Sequence, residues 1–325
     1  KINVRSVSIN MLRNDWYDMI MDFNPDFCVS RPPGDLQLHK KIFDEKLYFI
    51  EKHTSFQIYP GFSETYIYEN KVALEWFLRI NDIPHPRTLI TSIKEESMNW
   101  IRNAKFPVVF KTLIGASGTG VKIIDNFKEA EEYLDKVFSE GIKRRYGPNP
   151  NAGNPKIWAI KAVRSPKYFL KKLKQYNERI RDVQKDIVVM QEYVEHNFEW
   201  RCVRIGESYF AYKKLKVKGK ASGSKLFEYG PPPIELLDFT KSLCEKFNFQ
   251  FMSIDIFYTE RGILVNEMQT IFGHKKPYIC KINDIPGRYI YTTGSWKFEA
   301  GDFNSNESYD LRLKTAVELY LNSQE

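Results

Sequence analysis

Residues 106–125 read FPVVFKTLIGASGTGVKIID, and this stretch decides the fold class. Its apolar first part, which Pro107 opens, predicts a buried strand. VKIID (residues 121–125) predicts a second strand, and the glycine-rich segment between the two predicts a loop. The amphipathic helix FKEAEEYLDKVF (residues 127–138) follows. Strand, glycine loop, strand and helix together predict a mixed α+β protein.

The glycine loop is a candidate phosphate site. Its glycines allow backbone N–H groups to approach a phosphate closely, and its hydroxyl side chains can donate hydrogen bonds as well. Lys111, at the end of the first strand, adds a positive charge. The GxxxxGK[ST] pattern and a GxGxxG sequence at a helix start are both absent, so the loop is not predicted to bind phosphate at a helix N-terminus. A plain hairpin is the alternative interpretation. The candidate residues are Lys111, Gly115, Ser117, Gly118 and Gly120.

Downstream, MQEYV (residues 190–194) ends a predicted strand in a carboxylate, Glu192. Where a strand leaves its sheet, backbone groups become free to pair with the edge of an adenine ring. An ordinary strand end is the alternative.

Next, FEWRCVRIG (residues 198–206) and SYFAYKKLKV (residues 208–217) predict a hairpin. Glu199 and Arg201 lie two positions apart and therefore share a face, as Lys214 and Lys216 do on the partner strand. A charged, solvated outer face is the alternative for this hairpin.

The segments FMSIDIFYTE and ILVNEMQTIF (residues 251–260 and 263–272) predict two antiparallel strands joined by a tight turn. Glu267 and Gln269 share a face, and the turn can bring Asp255 to the same patch. Acids within apolar strands are costly unless they are paired or bind a cation. Oxygen ligands of this kind suit Mg²⁺. Two acids facing solvent on one sheet are the alternative.

Composition bounds the remaining possibilities. Apolar residues make up 42% and charged residues 28% of the 325 residues, as in folded globular proteins. The sequence contains no run of about 18 apolar residues, so no membrane span is expected. The four cysteines show no metal-ligand or redox spacing, and we expect a reduced, cytoplasmic protein. The five histidines form no HxxxH or HxH pair, so a histidine-based zinc site is not expected.

The net charge of +8 is concentrated in one stretch. Residues 141–185 contain thirteen Lys or Arg and two acids, and we call this stretch the basic insert. Its second half predicts a helix with cations on most faces, which favours a polyanionic partner. A solvated helix is the alternative.

The order of these motifs resembles the ATP-grasp superfamily, most closely its RimK-like and glutathione-synthetase-like branch. The resemblance spans about residues 69–275 and includes ENKVALEWFLRINDIPHPRT (residues 69–88), which is similar to the family's helix and Pro-bounded strand. It implies two α+β lobes that sandwich ATP, preceded by a small α/β domain. The expected domains are residues 1–68, a central lobe at 69–195 with the basic insert, and a C-terminal lobe at 196–325.

The resemblance also implies roles for individual residues. Phosphate contacts would come from Lys71, Lys111 and the loop from Gly115 to Gly120. Glu192 and the backbone of Val194 would hold adenine, and Glu199 the ribose. Arg201 and Lys214 would steady the transferred phosphoryl group. One or two Mg²⁺ ions, with Mn²⁺ as an alternative, would bind Asp255, Glu267 and Gln269.

Two positions depart from the family pattern. Gln269 stands where the last metal ligand is usually Asn. The Gln side chain carries the same carbonyl oxygen, but one methylene further from the backbone. Ser253 stands where many relatives have an Arg before the metal-binding Asp.

The implied activity is an ATP-dependent ligase. It would convert a substrate carboxylate to an acyl-phosphate and join it to an amine, releasing ADP and phosphate. An ATP-grasp kinase for an anionic small molecule and a non-catalytic ATP-binding protein are the alternatives. The N-terminal 70 residues and the segment after Gly273 would shape the acceptor site. Relatives are often dimers or tetramers, and the resemblance leaves the oligomeric state of this chain open.

Overall fold

The computed structural model describes residues 5–115, 120–143, 165, 167, 170, 174, 177, 178, 181–217, 220–221, 226–272 and 280–324. These residues form two compact units. Unit 1 comprises the described residues within 1–33, 38–85 and 195–325, and unit 2 those within 34–37 and 86–194. The division into three consecutive domains stays a prediction.

The N-terminal part of unit 1 contains a two-stranded parallel sheet, β1-β2, beside helices. The buried side chains Phe43, Leu47 and Ile50 recur along one face of the second helix, as the 3.6-residue period requires, and pack with Ile58. The elements are α1 (Trp16–Phe23), β1 (Phe27–Val29), α2 (Gln37–His53), β2 (Gln57–Tyr59), α3 (Phe62–Tyr66) and α4 (Lys71–Ile80).

Unit 2 is built on a four-stranded antiparallel sheet of order β3-β8-β4-β5, with a separate β6-β7 pair. Its core joins Val108 and Phe110 of the sheet to Ile101 and Leu134 of the two helices, all at most 1% exposed. The two predicted strands and the helix that follows them are confirmed. The elements are β3 (Thr88–Thr91), α5 (Lys94–Arg102), β4 (Val108–Lys111), β5 (Val121–Ile124), α6 (Phe127–Ser139), β6 (Ile142–Lys143), β7 (Val183–Gln184) and β8 (Val188–Glu192). Most of the basic insert lies outside the described residues.

The C-terminal part of unit 1 forms a large antiparallel sheet. Its main order is β14-β13-β9-β10-β16-β15; β11 and β12 pair with β10, and β17 pairs with β16. The elements are β9 (Phe198–Ile205), β10 (Ser208–Val217), β11 (Lys220–Ala221), β12 (Phe227–Glu228), α7 (Ile234–Lys246), β13 (Phe251–Thr259), β14 (Gly262–Gln269), β15 (Lys281–Ile282), β16 (Ile285–Thr292), β17 (Ser295–Ala300) and α8 (Tyr309–Asn322).

Helices cover this sheet. Leu74 and Leu78 of α4 pack with Leu236 of α7 in one apolar cluster that includes Trp200 of β9 and Ile254 of β13. The opposite cluster contains Val203 and Phe251 from the same two strands, with Ala316 of α8. Because β9 and β13 contribute to both clusters, their side chains are buried on both faces of the sheet. Any charged residue on these strands must therefore find a partner inside the protein.

Candidate functional site

The predicted site residues of unit 1 meet on one face of the large sheet because of its register. Asp255 on β13 lies opposite Arg201 on β9 and opposite Glu267 on β14. Glu199 lies opposite Lys214 in the β9–β10 pair. Residues directly opposite each other in antiparallel strands have neighbouring side chains. Two adjacent hairpins thus place five charged groups in one row, which we call the charged cluster.

Asp255 is the centre of the charged cluster. Arg201 donates from Nε to Oδ1 at 2.7 Å and from Nη2 to Oδ2 at 2.8 Å. Lys214 donates from Nζ to Oδ2 at 2.6 Å. The Asp255 side chain is 2% exposed. Both of its carboxylate oxygens therefore accept hydrogen bonds from buried cations.

These neighbours decide the charge states. Burial raises the pKa of Asp255, but the charges of Arg201 and Lys214 outweigh burial and hold that pKa well below its usual range. Burial lowers the pKa of Lys214, but the carboxylates of Asp255 and Glu199 bring it above its usual value. Asp255, Arg201 and Lys214 are accordingly charged at neutral pH, and their burial is tolerable because they are paired.

Glu199 is held from two sides. Lys214 Nζ donates to its Oε2 at 2.8 Å, and Asn266 Nδ2 donates to its Oε1 at 3.3 Å. The register between β13 and β14 shifts after Asp255, so that Asn266 has no opposite residue. Such a bulge redirects side chains locally. It allows Asn266 to contact Glu199 while its neighbour Glu267 lies opposite Asp255.

Lys71 joins the charged cluster from the first turn of α4. The Asn70 side chain accepts the N–H of Ala73 and caps this helix. Lys71 Nζ then donates to Glu267 Oε1 at 2.8 Å. Burial lowers the pKa of Lys71, but the carboxylates of Glu267 and Glu69 raise it above its ordinary value. Burial raises the pKa of Glu267, but Lys71 keeps it below the ordinary value.

The donor chemistry of this cluster fits a hard divalent cation. Asp255 and Glu267 offer two carboxylates, and half-buried Gln269 follows Glu267 by two positions on the same strand. Mg²⁺ usually takes one or two protein carboxylates and completes its coordination with phosphate and water. Within the described ranges, no group of three or more His, Cys, Asp or Glu residues could hold a metal ion. An ion here would share its carboxylates with Lys71, Arg201 and Lys214.

In unit 2, Thr112 joins the two ends of the glycine loop. Its N–H donates to Gly120 O at 2.8 Å, and its Oγ1 donates to Ile114 O at 2.8 Å. A Cβ on Gly120 would lie 1.8 Å from Thr112 Oγ1, so glycine is required by close approach. Lys111 ends β4, one residue before Thr112. Ser117 and Gly118 lie outside the described residues.

The predicted adenine residues are at the end of β8, also in unit 2. Glu192 Oε1 accepts the N–H of Arg87 at 2.9 Å, and Glu192 N donates to Arg87 O at 2.9 Å. The carboxylate therefore fixes the strand end to the segment before β3. Val194, two residues later, is 7% exposed. The roles of Glu192 and Val194 toward adenine stay predictions.

Two residues near the charged cluster were not among the predicted site residues. Asn266 precedes Glu267 in a strand whose bulge has no local sequence signal. Arg312 on α8 donates from Nη1 to Thr270 O at 3.0 Å and from Nη2 to Phe272 O at 2.8 Å. It thereby anchors the chain just after Gln269. No spacing rule connects a residue of the last helix to a strand some 40 positions earlier.

Of the known proteins, only solved structures show a similarity to this chain. No protein-family model matches the chain, and no curated protein matches it. A D-alanine–D-alanine ligase from Bacillus anthracis matches with a TM-score of 0.51 at 14% identity, over 96% of this chain and 86% of that one.

Two other matches have lower TM-scores. A RimK domain ATP-grasp protein from Sphaerobacter thermophilus matches at 0.46, with 16% identity over 69% of this chain and 68% of that one. The N5-carboxyaminoimidazole ribonucleotide synthetase from Thermotoga maritima also matches at 0.46, with 18% identity over 82% of this chain and 55% of its own length. The similarity to the Bacillus anthracis ligase shows a shared fold.

In the part of the chain that the structure describes, no helix is both long and apolar enough to cross a membrane.

Proposed function

From the ATP-grasp fold of this chain and its charged cluster, we propose that the protein is an ATP-dependent carboxylate–amine ligase. The observation that carries the proposal is the buried group of Arg201, Lys214 and Asp255, next to the partly buried ion pair of Lys71 and Glu267. Structural needs alone rarely place so many charges within one sheet, because each must be removed from water. Phosphoryl transfer, in contrast, needs preorganised charges of both signs.

The chemistry follows from the charges. An oxygen of the substrate carboxylate attacks the γ-phosphorus of ATP, the bond to the β,γ-bridging oxygen breaks, and ADP leaves. The amine then attacks the carbonyl carbon of the acyl-phosphate, loses a proton and expels phosphate. The net result is an amide, ADP and phosphate.

The residues of unit 1 would act on the transferred group. Arg201 and Lys214 are cations held in place by Asp255, so they can stabilise the negative charge of the phosphoryl group without reorganising. Lys71 would neutralise nucleotide phosphates, and Glu199 would accept hydrogen bonds from the ribose. Mg²⁺, or Mn²⁺, held by Asp255, Glu267 and Gln269, would supply charge neutralisation and alignment of the phosphates.

The residues of unit 2 would act on the rest of the nucleotide. Lys111 and the backbone N–H groups of the glycine loop would contact phosphates, and Thr112 holds together the two ends of that loop. Glu192 and the backbone of Val194 would hold adenine. A cytoplasmic location, an oligomeric state and a polyanionic partner of the basic insert stay predictions.

The test measures ADP and free phosphate released from Mg-ATP by the purified protein, with and without a pooled amino-acid mixture. We expect equal amounts of ADP and phosphate, raised by the mixture and reduced at least about 100-fold in Glu267→Gln. Glu260→Gln is the matched control, because Glu260 is exposed at the end of the same hairpin. Circular dichroism checks that both variants fold.

The other outcomes separate the alternatives. ADP without free phosphate identifies a kinase. Nucleotide binding without any ADP, in the wild type and with every substrate pool, identifies a non-catalytic binding protein. Equal ADP and phosphate release by wild type and Glu267→Gln would refute the assignment of the charged cluster to the reaction.

A further inference from the structure

Two guanidinium groups lie against one tyrosine at the start of α8. The Cζ atom of Arg31 is 5.7 Å from the centre of the Tyr309 ring, and that of Arg312 is 5.5 Å from the same centre. Arg31 comes from the segment that follows β1, and Arg312 from the helix itself. All three residues belong to unit 1.

Arg312 is a buried positive charge. It is 6% exposed, its two terminal nitrogens donate to backbone carbonyls, and its Cζ lies 3.8 Å from the centre of the Phe272 ring. Its Nε is buried without a hydrogen-bond partner, and it forms no ion pair with any described residue. Burial lowers the pKa of Arg312 to about 10, which leaves it charged at neutral pH. Tyr309 and Glu64 oppose this effect of burial on the pKa. Arg312 is therefore a buried positive charge beside Tyr309 that forms no ion pair with any described residue.

Arg31 is exposed and forms no hydrogen bond or ion pair with the described residues. Its backbone is nevertheless well fixed. Ser30 N donates to Tyr59 O at 2.9 Å, Ser30 Oγ donates to Pro60 O at 2.6 Å, and Pro32 follows. The N–H groups of the guanidinium are thus available on a rigid support, at the carboxyl ends of two parallel strands, where ligands of α/β units commonly bind.

This place is close to the charged cluster. Arg312 anchors Thr270 and Phe272, which directly follow the strand carrying Glu267 and Gln269. Burial raises the pKa of Tyr68, the charges of Glu69 and Glu267 raise it further, and Arg31 opposes them. The phenol of Tyr68 is therefore within electrostatic range of both Arg31 and Glu267.

We propose that Arg31 binds a carboxylate of the ligase substrate, distinct from the carboxylate that is activated, with Arg312 as a buried charge behind it. The inference rests on the proposed function and names the substrate class, a dicarboxylate or an acidic amino acid. A guanidinium offers two parallel N–H donors that match a carboxylate. The alternative is that Arg31 only covers Tyr309.

The test measures binding without turnover, by calorimetry in the presence of Mg-ADP. The probes are succinate, glutarate, L-aspartate and L-glutamate, each compared with the analogue in which one carboxylate is an amide: succinamate, glutaramate, L-asparagine and L-glutamine. We expect at least one acid to bind about 10- to 100-fold more tightly than its amide. Arg31→Gln should remove this difference, and Arg31→Lys should keep part of it, since the charge remains but the paired donors do not.

Arg79→Gln is the matched control, because Arg79 is also exposed and lies over an aromatic ring, that of Trp76 at 5.4 Å. This variant should retain the preference for the acid. The inference is overturned if no acid in the panel binds better than its amide, or if Arg31→Gln keeps the difference. Because the readout is binding, such a failure leaves the ADP and phosphate result, and with it the proposed function, untouched.

Discussion

At the scale of single residues, Asp255 is the counter-ion that makes two buried cations tolerable. Arg201 and Lys214 both donate to it, and all three side chains are at most 10% exposed. Asp255→Asn keeps the shape but removes the charge. We expect a loss of about 3–5 kcal/mol in the free energy of unfolding, because two buried cations then lose the carboxylate to which both donate. Urea unfolding followed by circular dichroism measures this loss.

The control for Asp255→Asn is the same change in an exposed ion pair. Asp15 pairs with Arg13, and both side chains are about half exposed. Asp15→Asn should leave the unfolding midpoint unchanged within error, because exposed ion pairs contribute little. If the two variants lose equal stability, Asp255 does not hold the cluster together.

The residue types of the charged cluster could be predicted, but their partners could not. The two-residue side-chain period predicted that Glu199 and Arg201 share a face. Which residue lies opposite Asp255 depends on the register between β9 and β13, which are joined by no tight turn. The bulge at Asn266 similarly depends on packing in the finished sheet rather than on a local signal.

At the scale of elements, the glycine loop depends on a single close approach. A Cβ added to Gly120 would lie 1.8 Å from Thr112 Oγ1 and 3.0 Å from Thr112 Cβ. Gly120→Ala must therefore separate the two ends of the loop. We expect the KM for ATP to rise by about 10-fold or more, because the backbone N–H groups that we propose as donors to the phosphates would be displaced. Steady-state ADP release at varied ATP concentration measures this change.

Gly230→Ala is the control for loss of a glycine, since a Cβ there meets no atom within 4 Å. It should leave the KM for ATP unchanged. In the double variant Gly120→Ala, Thr112→Ala, the shortest contact is removed, and part of the ATP affinity should return. An unchanged KM in Gly120→Ala would show that the loop does not contact the nucleotide.

Elements with a clear period were predictable, and those without one were not. The helix α4 and the hairpin β13–β14 follow their sequence patterns directly. The hairpin β16–β17 was missed, although YIYTTGSWKF (residues 289–298) alternates aromatic residues around a Gly turn, which is a hairpin signal. The short helices α1 and α3 span too few residues to show a period.

At the scale of the whole molecule, the fold was predictable from the order of its motifs, because each motif constrains the next. The order of the motifs does not show which distant segments contact each other. Lys71 and Glu267 are 196 positions apart, yet they form one ion pair. The N-terminal segment is likewise fixed to the large sheet by a side chain that no motif marks, that of Glu64.

Glu64 is a buried carboxyl that accepts the N–H of Phe251 at 2.7 Å and the N–H of Gly61 at 3.1 Å. Burial raises its pKa to about 7 from an ordinary value near 4.5, despite these hydrogen bonds. The folded protein therefore binds this proton more tightly than the unfolded chain. The stabilising contribution is complete below about pH 4.5 and is lost as the pH rises through about 7.

Glu64→Gln should remove this pH dependence. The amide oxygen can still accept the N–H of Phe251, but nothing titrates. Between pH 5 and pH 8, the stability difference between wild type and variant should shift in favour of the variant by an amount on the order of 3 kcal/mol. Urea unfolding at several pH values measures it. Glu51→Gln, at an exposed carboxylate that accepts the N–H of Phe62, should keep the wild-type profile. If Glu64→Gln keeps the wild-type dependence of stability on pH, then Glu64 stays ionised in the folded protein. The N-terminal segment is in that case fixed to the sheet by a charged group.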